Sequence, residues 1–417
     1  LQKTDYWSTK TNPDTGEKFE SELSYLRVAH NGYADIDAFI DSEYGEAYAK
    51  LLELRFKYEE APMGEAVLAY YRSLGLKKEM FEDEDYYTRW ALITPLEMDE
   101  EGKAGKKYPL VFVNHGGFNS IEQEEFGCGM PHVAAKEKIM VAYLQNTNWE
   151  NTERVLNIIA GKYPLDTERV YMTGYSQGGY QVTSSYFRIP ERFAAVAPCG
   201  NDIYRDYDNF NVPFTKEETE HLKETFVPFM QIVGTCEASS FAPVNDWQPR
   251  KNWGKERDAE PYTDPRRDDM RDPTRVIGGK RRFSDMPEPP EGVDKHEWMI
   301  DRLNKRMYTL GCEPRDAKTC ISYLNTPEDE LHHVLGFYGD AESIHLYHGY
   351  KHYTLDIWNK AGVHAFRYVA VENAPHCWPV MTGQLVWDFF KQFRRDRETG
   401  NIVMIPERPE VESTTSG

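Results

Sequence analysis

The chain has 417 residues, 40% hydrophobic and 13% aromatic, with 69 acidic and 49 basic side chains for a formal charge of −20. That composition supplies a sizeable core and excludes a disordered chain, while the acidic balance disfavours binding of nucleic acid or of an anionic membrane through the bulk field. No apolar run approaches the ~18 residues of a membrane-crossing helix, and the six cysteines, without a C-x-x-C pair, are too few for a disulfide framework or a paired zinc pattern.

At a usual ~100–200 residues per domain, this length suits two or three domains, or one large α/β domain with insertions. The chain starts at Leu1 without the n-region or h-region of a signal peptide. The expectation is a soluble protein from which a leader was removed or whose start was trimmed, so that secreted and cytoplasmic locations both stay open. Residues 1–85 read as an N-terminal extension. Within it Tyr44, Ala47, Tyr48, Leu51, Leu52, Leu54 and Phe56 recur at helical spacing and predict an amphipathic helix from about Ser42 to Glu60, either a packing appendage or a substrate-side cap.

The rhythm changes at Tyr86. Tyr87 to Pro95 reads as a strand, and Pro109 to Asn114 is a continuous apolar run of the kind buried on both faces of a sheet. Similar runs follow at Ile139–Tyr143, Arg169–Thr173, Phe193–Ala197, Pro228–Val233 and Phe366–Val371, with helices expected over Thr152–Lys162 and about Leu385–Arg395. Apolar strands alternating with helices predict an α/β fold with a doubly wound, mostly parallel sheet. Residues 86–241 and 341–401 would form the two parts of its core. Residues 242–340, rich in Pro, Arg and Asp and without a clear strand, read as an insertion with some helix around Glu297–Met307. It follows a strand's C-terminal end, where such folds bind ligands, so it is expected to be a lid or pocket wall rather than surface decoration. Residues 402–417 read as a mobile tail.

Gly174-Tyr175-Ser176-Gln177-Gly178 matches G-x-S-x-G, with an apolar strand before it and a helix-compatible run after it. That is the strand–sharp turn–helix context of a nucleophile elbow, in which glycines two residues either side of a strained serine let strand and helix approach closely. The turn would lift the Ser176 hydroxyl into a cleft and place the Gln177 amide at a helix N-terminus. His115-Gly116-Gly117-Phe118 ends the Pro109–Asn114 run. Its Gly117 or Phe118 amide is the second candidate oxyanion donor, and His115 reads as structural. A base should follow in the order Ser, acid, His, and His376 fits on the loop after the last strand. The acid should follow Pro228–Val233. Glu237 stands there, with Asp246, Asp340 and Asp356 as alternatives. Tyr175, Trp149 and Trp378 flank these positions and either line a substrate pocket or belong to the core.

Three stretches are similar to one family: Lys107 to Gly117, Tyr163 to Gly179 with its Asp166…Arg169…Ser176 block, and Pro375-His376-Cys377-Trp378-Pro379. They resemble the secreted α/β-hydrolase esterases related to polyhydroxybutyrate depolymerases and feruloyl esterases, over about Tyr86–Glu237 and Phe366–Phe393. The resemblance implies an α/β-hydrolase fold, serine-ester chemistry and no cofactor or metal. It does not reach the first ~80 residues or the insertion. Glu237 departs from it, because relatives often carry Asp in a similar G-T-x-D stretch.

The expectation is therefore a serine hydrolase acting on a small-molecule or polymer-linked carboxylic ester, with a Ser176–His376–Glu237 triad. The alternatives are a peptidase, amidase or lactonase on the same site, or a non-catalytic hydrolase-like binding protein. Oligomeric state is open. Cys236 precedes the candidate acid and Cys377 follows the candidate base, so a bridge there, or two free thiols, are both allowed; Cys312 and Cys320 could close a small loop. His345, His348 and His352 would share one face of a helix, and solvated or packed imidazoles are expected there rather than zinc. The basic run Arg266, Arg267, Arg271, Arg275, Lys280, Arg281 and Arg282 is interspersed with Asp and reads as solvated surface.

Overall fold

The computed structural model describes residues 9–11, 18–20, 61–82, 88–117, 120–125, 128–208, 212–234, 291–347, 350–371 and 382–406. Strands β1 (Thr9–Thr11) and β2 (Lys18–Glu20) pair with each other antiparallel. The principal sheet contains β3 (Leu76–Phe81), β4 (Trp90–Pro95), β5 (Tyr108–Asn114), β6 (Met140–Leu144) and β7 (Leu165–Tyr175). It continues with β8 (Ala195–Cys199), β9 (Phe229–Gly234), β10 (Ala341–Tyr347), β11 (Tyr350–Trp358) and β12 (His364–Val371). Their spatial order is β10-β11-β12-β9-β8-β7-β5-β6-β4-β3. The six strands from β12 to β6 run parallel; β3, β4, β10 and β11 join antiparallel at the two edges.

The apolar runs explain the layers. Neighbouring residues of a strand point to opposite faces, and both faces are covered. Leu110, Phe112, Met140, Ala142, Val170, Met172 and Phe229 pack on one side, while Val111, Val113, Val141, Tyr143, Tyr171 and Ile232 pack on the other. The second side is covered by α1 (Glu65–Ser73), α4 (Met130–Glu137) and α11 (Thr382–Phe390). Between α1 and α4 lie the short α2 (Met98–Lys103) and α3 (Ile121–Glu125). The first side is covered by α5 (Trp149–Lys162), α6 (Gln177–Arg188), α7 (Lys216–Thr225), α8 (Lys295–Thr309), α9 (Ala317–Ser322) and α10 (Glu330–Leu335). Asn148 caps α5 by accepting from the Asn151 amide, and Thr215 with Glu218 forms a capping box on α7.

Two buried arginines tie distant segments together. Arg306 of α8 lies 3.7 Å from the Phe229 ring centroid and donates from Nε to the Ile203 carbonyl at 3.0 Å. Arg395 belongs to β13 (Phe393–Arg395), which pairs with β14 (Ile402–Met404). It donates to the carbonyls of Phe193, Thr225, Phe226 and Gly400. Burial pushes its guanidinium down to about 10.

Several expectations change. The helix expected to Arg395 stops at Phe390, and residues 393–395 form a strand, as do 402–404 at the start of the expected tail. His345 and His352 do not share a helix; they are register partners in the β10–β11 hairpin, one exposed and the other buried. The β-branched and aromatic residues of that hairpin are the signal that histidine spacing masked. Cys312 and Cys320 are buried free thiols rather than a bridge, as is Cys128. The helix expected over 42–60 and the basic run of the insertion lie outside the described residues. No helix among the described residues is long and apolar enough to cross a membrane.

Candidate active site

β7 ends at Tyr175 and α6 begins at Gln177, so a single residue makes the bend. That residue, Ser176, has φ 55° and ψ −117°, a region a residue with a side chain rarely adopts. The surrounding glycines permit it. A Cβ on Gly174 would lie 2.6 Å from the Gly178 carbonyl oxygen, and one on Gly178 would lie 2.3 Å from that of Asn114. A Cβ on Gly179 would meet the side chain of Asn201. The strained backbone is held by its neighbours: the Ser176 amide donates to Cys199 O at 2.9 Å, and Asn201 Nδ2 donates to Ser176 O at 2.8 Å. Asn201 is itself fixed, its carbonyl accepting from Gln231 of β9 at 3.0 Å. Asn201 and Gln231 carry no motif, and sequence reading missed them.

The candidate oxyanion loop leaves β5 beside this bend. The Cβ position of Gly117 is 3.1 Å from Gln177 Oε1, so Gly117 lies against the Gln177 side chain. His115 is anchored rather than poised for proton transfer: Nδ1 lies 2.8 Å from Gly116 O and Nε2 lies 2.9 Å from Gln145 O. Arg89 binds Glu122 through two contacts of 2.7 and 2.8 Å and donates to Gln145 Oε1 at 3.1 Å. The loop is thus clamped on both sides of Gly117, by His115 before it and by Glu122 after it. A further buried pair, Lys78 with Glu125 at 3.1 Å, fixes the far end of α3, with the Tyr71 hydroxyl donating to the same carboxylate. Burial pushes the Glu125 carboxyl up and the Lys78 ammonium down, each offset in part by the other's charge. An acidic pentapeptide such as Ile121–Glu125 reads as solvated surface in sequence, and its buried partners lie on β3 and at the start of β4, remote along the chain.

Glu237, Asp246, His376, Trp378, Phe118, Cys236 and Cys377 lie outside the described residues. The strands that lead to them are described. Gly234 and Val371, the last residues of β9 and β12, are register partners in parallel strands, two and three strands along from β7 and Ser176. The chain therefore departs toward Glu237 and toward His376 from adjacent points on the sheet edge where the bend sits.

Asp340 and Asp356, the alternative acids, stand at the opposite edge. Asp356 pairs in register with Arg367, near the beginning of β12. Its carboxylate accepts from His364 at 2.8 Å and from Arg367 at 2.7 and 3.0 Å. Asp340 accepts from the Trp358 amide at 2.8 Å. Burial alone would raise the Asp356 carboxyl, but the His364 and Arg367 hydrogen bonds outweigh it and hold it below the usual carboxylate range. Its contribution to stability is then complete above that range and is lost as pH falls through the lowered value. Asp356→Asn is expected to cost roughly 2 kcal/mol at neutral pH, a deficit that narrows below about pH 4. Denaturant melts at several pH values check this, and turnover per folded molecule should be retained.

Of the expected pocket residues, Tyr175 is 5% exposed and packs in the core beneath α4 and α11. Trp149, the first residue of α5, is half-buried against the opposite core layer. An open cleft of about 380 Å³ lies between α7 and α8, lined by Tyr204, Asp206, Thr219, Asp301 and Tyr308 among others, and shares no residue with the bend. Among the described residues no three metal-ligating side chains converge.

The strand order, the antiparallel β4 and the strained serine between β7 and α6 make this the α/β-hydrolase fold. No family model and no curated protein matches the chain. Among solved structures it is similar to acetyl xylan esterase from Aspergillus awamori, with 10% identity, 75% of this chain and 98% of that one covered, and a TM-score of 0.40. It is also similar to an S-formylglutathione hydrolase from Agrobacterium tumefaciens (12% identity, 39% and 77% covered, TM-score 0.32). The feruloyl esterase module from Clostridium thermocellum is a third (16% identity, 38% and 66% covered, TM-score 0.28), and the chain spans just under two thirds of that module.

Proposed function

We propose that the chain is a serine hydrolase that cleaves a carboxylic ester through an acyl-enzyme. Ser176 Oγ attacks the carbonyl carbon while His376 accepts its proton. The tetrahedral oxyanion is held by the amides of Gln177 and of Gly117 or Phe118. Collapse breaks the C–O bond, and His376 returns the proton to the leaving alcohol. Water, deprotonated by His376, then attacks the acyl carbon, and Ser176 leaves as its hydroxyl with the proton passed back. Glu237 orients the imidazole and stabilises its charged form.

The observation that carries this reading is the positive φ of Ser176, held between three glycines and Asn201 and next to Gly117. Such strain at a strand–helix bend serves to present a hydroxyl, and a structural serine has no use for it. A fluorophosphonate probe is expected to label the native chain once, with the adduct mapped to Ser176 by peptide mass spectrometry. Labelling elsewhere, or none with the fold intact, would refute the nucleophile. Matched ester and amide substrates are expected to show turnover of the ester, and preference for the amide would move the reading to a peptidase or amidase.

A further inference from the structure

The loop after β8 carries a cation without an anion. The guanidinium carbon of Arg205 lies 4.2 Å from the Tyr180 ring centroid and 4.0 Å from that of Tyr207. Among the described arginines it is the one that makes neither a hydrogen bond nor an ion pair, and its Nε is buried without a partner. Two carboxylates of the same loop are engaged elsewhere, Asp202 lying 3.6 Å from Arg302 and Asp208 3.9 Å from Arg188, and the adjacent Asp206 makes no ion pair with Arg205.

Tyr180 lies one helical turn after Ser176, and its amide donates to Ser176 O at 3.0 Å. That places it about 6 Å along the helix axis from the nucleophile. The loop itself is tied to the bend by Asn201 and is fixed from behind by Arg302 and Arg306, which donate to the carbonyls of Tyr204 and Ile203. The two tyrosine rings, 4.0–4.2 Å from the Arg205 guanidinium carbon, hold the charge in place. The guanidinium keeps its donor fork, which matches a carboxylate with two parallel hydrogen bonds.

Resting on the ester-hydrolase reading above, we infer that Arg205 binds a carboxylate carried by the substrate a few bonds from the scissile carbonyl, so that the enzyme favours anionic esters over neutral ones. Two matched pairs test this: 4-nitrophenyl hemiglutarate against 4-nitrophenyl valerate for a carboxylate on the acyl side, and 3-acetoxybenzoate against phenyl acetate for one on the alcohol side. In at least one pair, the ratio of kcat/KM for charged over neutral ester is expected to fall tenfold or more in Arg205→Met. Arg205→Lys, which keeps the charge but loses the fork, should recover part of it. Ratios unchanged in both pairs, with neutral esters still turned over, would overturn the inference and leave the hydrolase reading standing. No turnover of any ester by the unaltered chain, and no labelling of Ser176, would overturn both.

Discussion

Ser176→Ala is expected to lower ester turnover by about 10⁴–10⁶-fold, the range found when a triad nucleophile is removed and the residual rate comes from binding and oxyanion donors. The fold should survive the change. Alanine keeps the Cβ, so the backbone strain at φ 55° is the same in both proteins. The interactions that hold the bend run from Cys199, Asn201 and Tyr180 to the backbone of residue 176 and do not need its hydroxyl. A melting free energy within about 0.5 kcal/mol of the original is therefore expected, as for a substitution that empties no core site. Steady-state kinetics on an activated ester, with the melt recorded on the same sample, decides the matter. Turnover within tenfold of the original would place the chemistry on another residue.

Gly178→Ala is expected to be strongly damaging for a single added methyl group. A glycine inside a helix ordinarily costs about 0.8–1 kcal/mol relative to alanine, so on local grounds the substitution should stabilise α6. Sterics reverse the sign. The new Cβ would lie 2.3 Å from Asn114 O and 2.5 Å from His115 O, backbone atoms at the end of β5 that cannot rotate away. Overpacking of this kind costs roughly 1–3 kcal/mol and occasionally more, and the backbone it displaces leads into Gly117. Loss of several degrees in Tm together with loss of turnover is the expected result. Gly161→Ala is the control: its Cβ would meet nothing within 4 Å on the exposed face of α5, so a gain of roughly 0.4–1 kcal/mol is expected. If both glycine variants are stabilised, the tight packing of α6 against β5 is wrong.

The parallel core was legible because its strands are buried on both faces and read as uninterrupted apolar runs. Leu110–Val113 and Val141–Leu144 could hardly be anything else. The bend was legible because its geometry demands glycine at fixed offsets from Ser176. The edges were not. β3, with Lys77, Lys78 and Glu79 in a row, looks like surface until Glu125 is brought to Lys78 from more than forty residues away. Arg89, Glu122 and Gln145 come from three separate elements, and an ion pair between a strand end and a short acidic helix leaves no trace in spacing. Asp356 shows the reverse failure: a carboxylate in the right order along the chain, yet delivered by an antiparallel hairpin to the wrong edge of the sheet. Chain order constrains which residues can meet, and strand direction decides which do.

The four carbonyls that converge on Arg395 belong to residues 193, 225, 226 and 400. Three of them are synthesised about 170 to 200 residues before the side chain that satisfies them. β9 likewise waits beside an empty edge until β12 is made. A nascent chain therefore carries β5 to β9 with one strand edge uncovered until β12 has been made. Production of this protein is accordingly exposed to aggregation in the interval between emergence of β9 and emergence of β12.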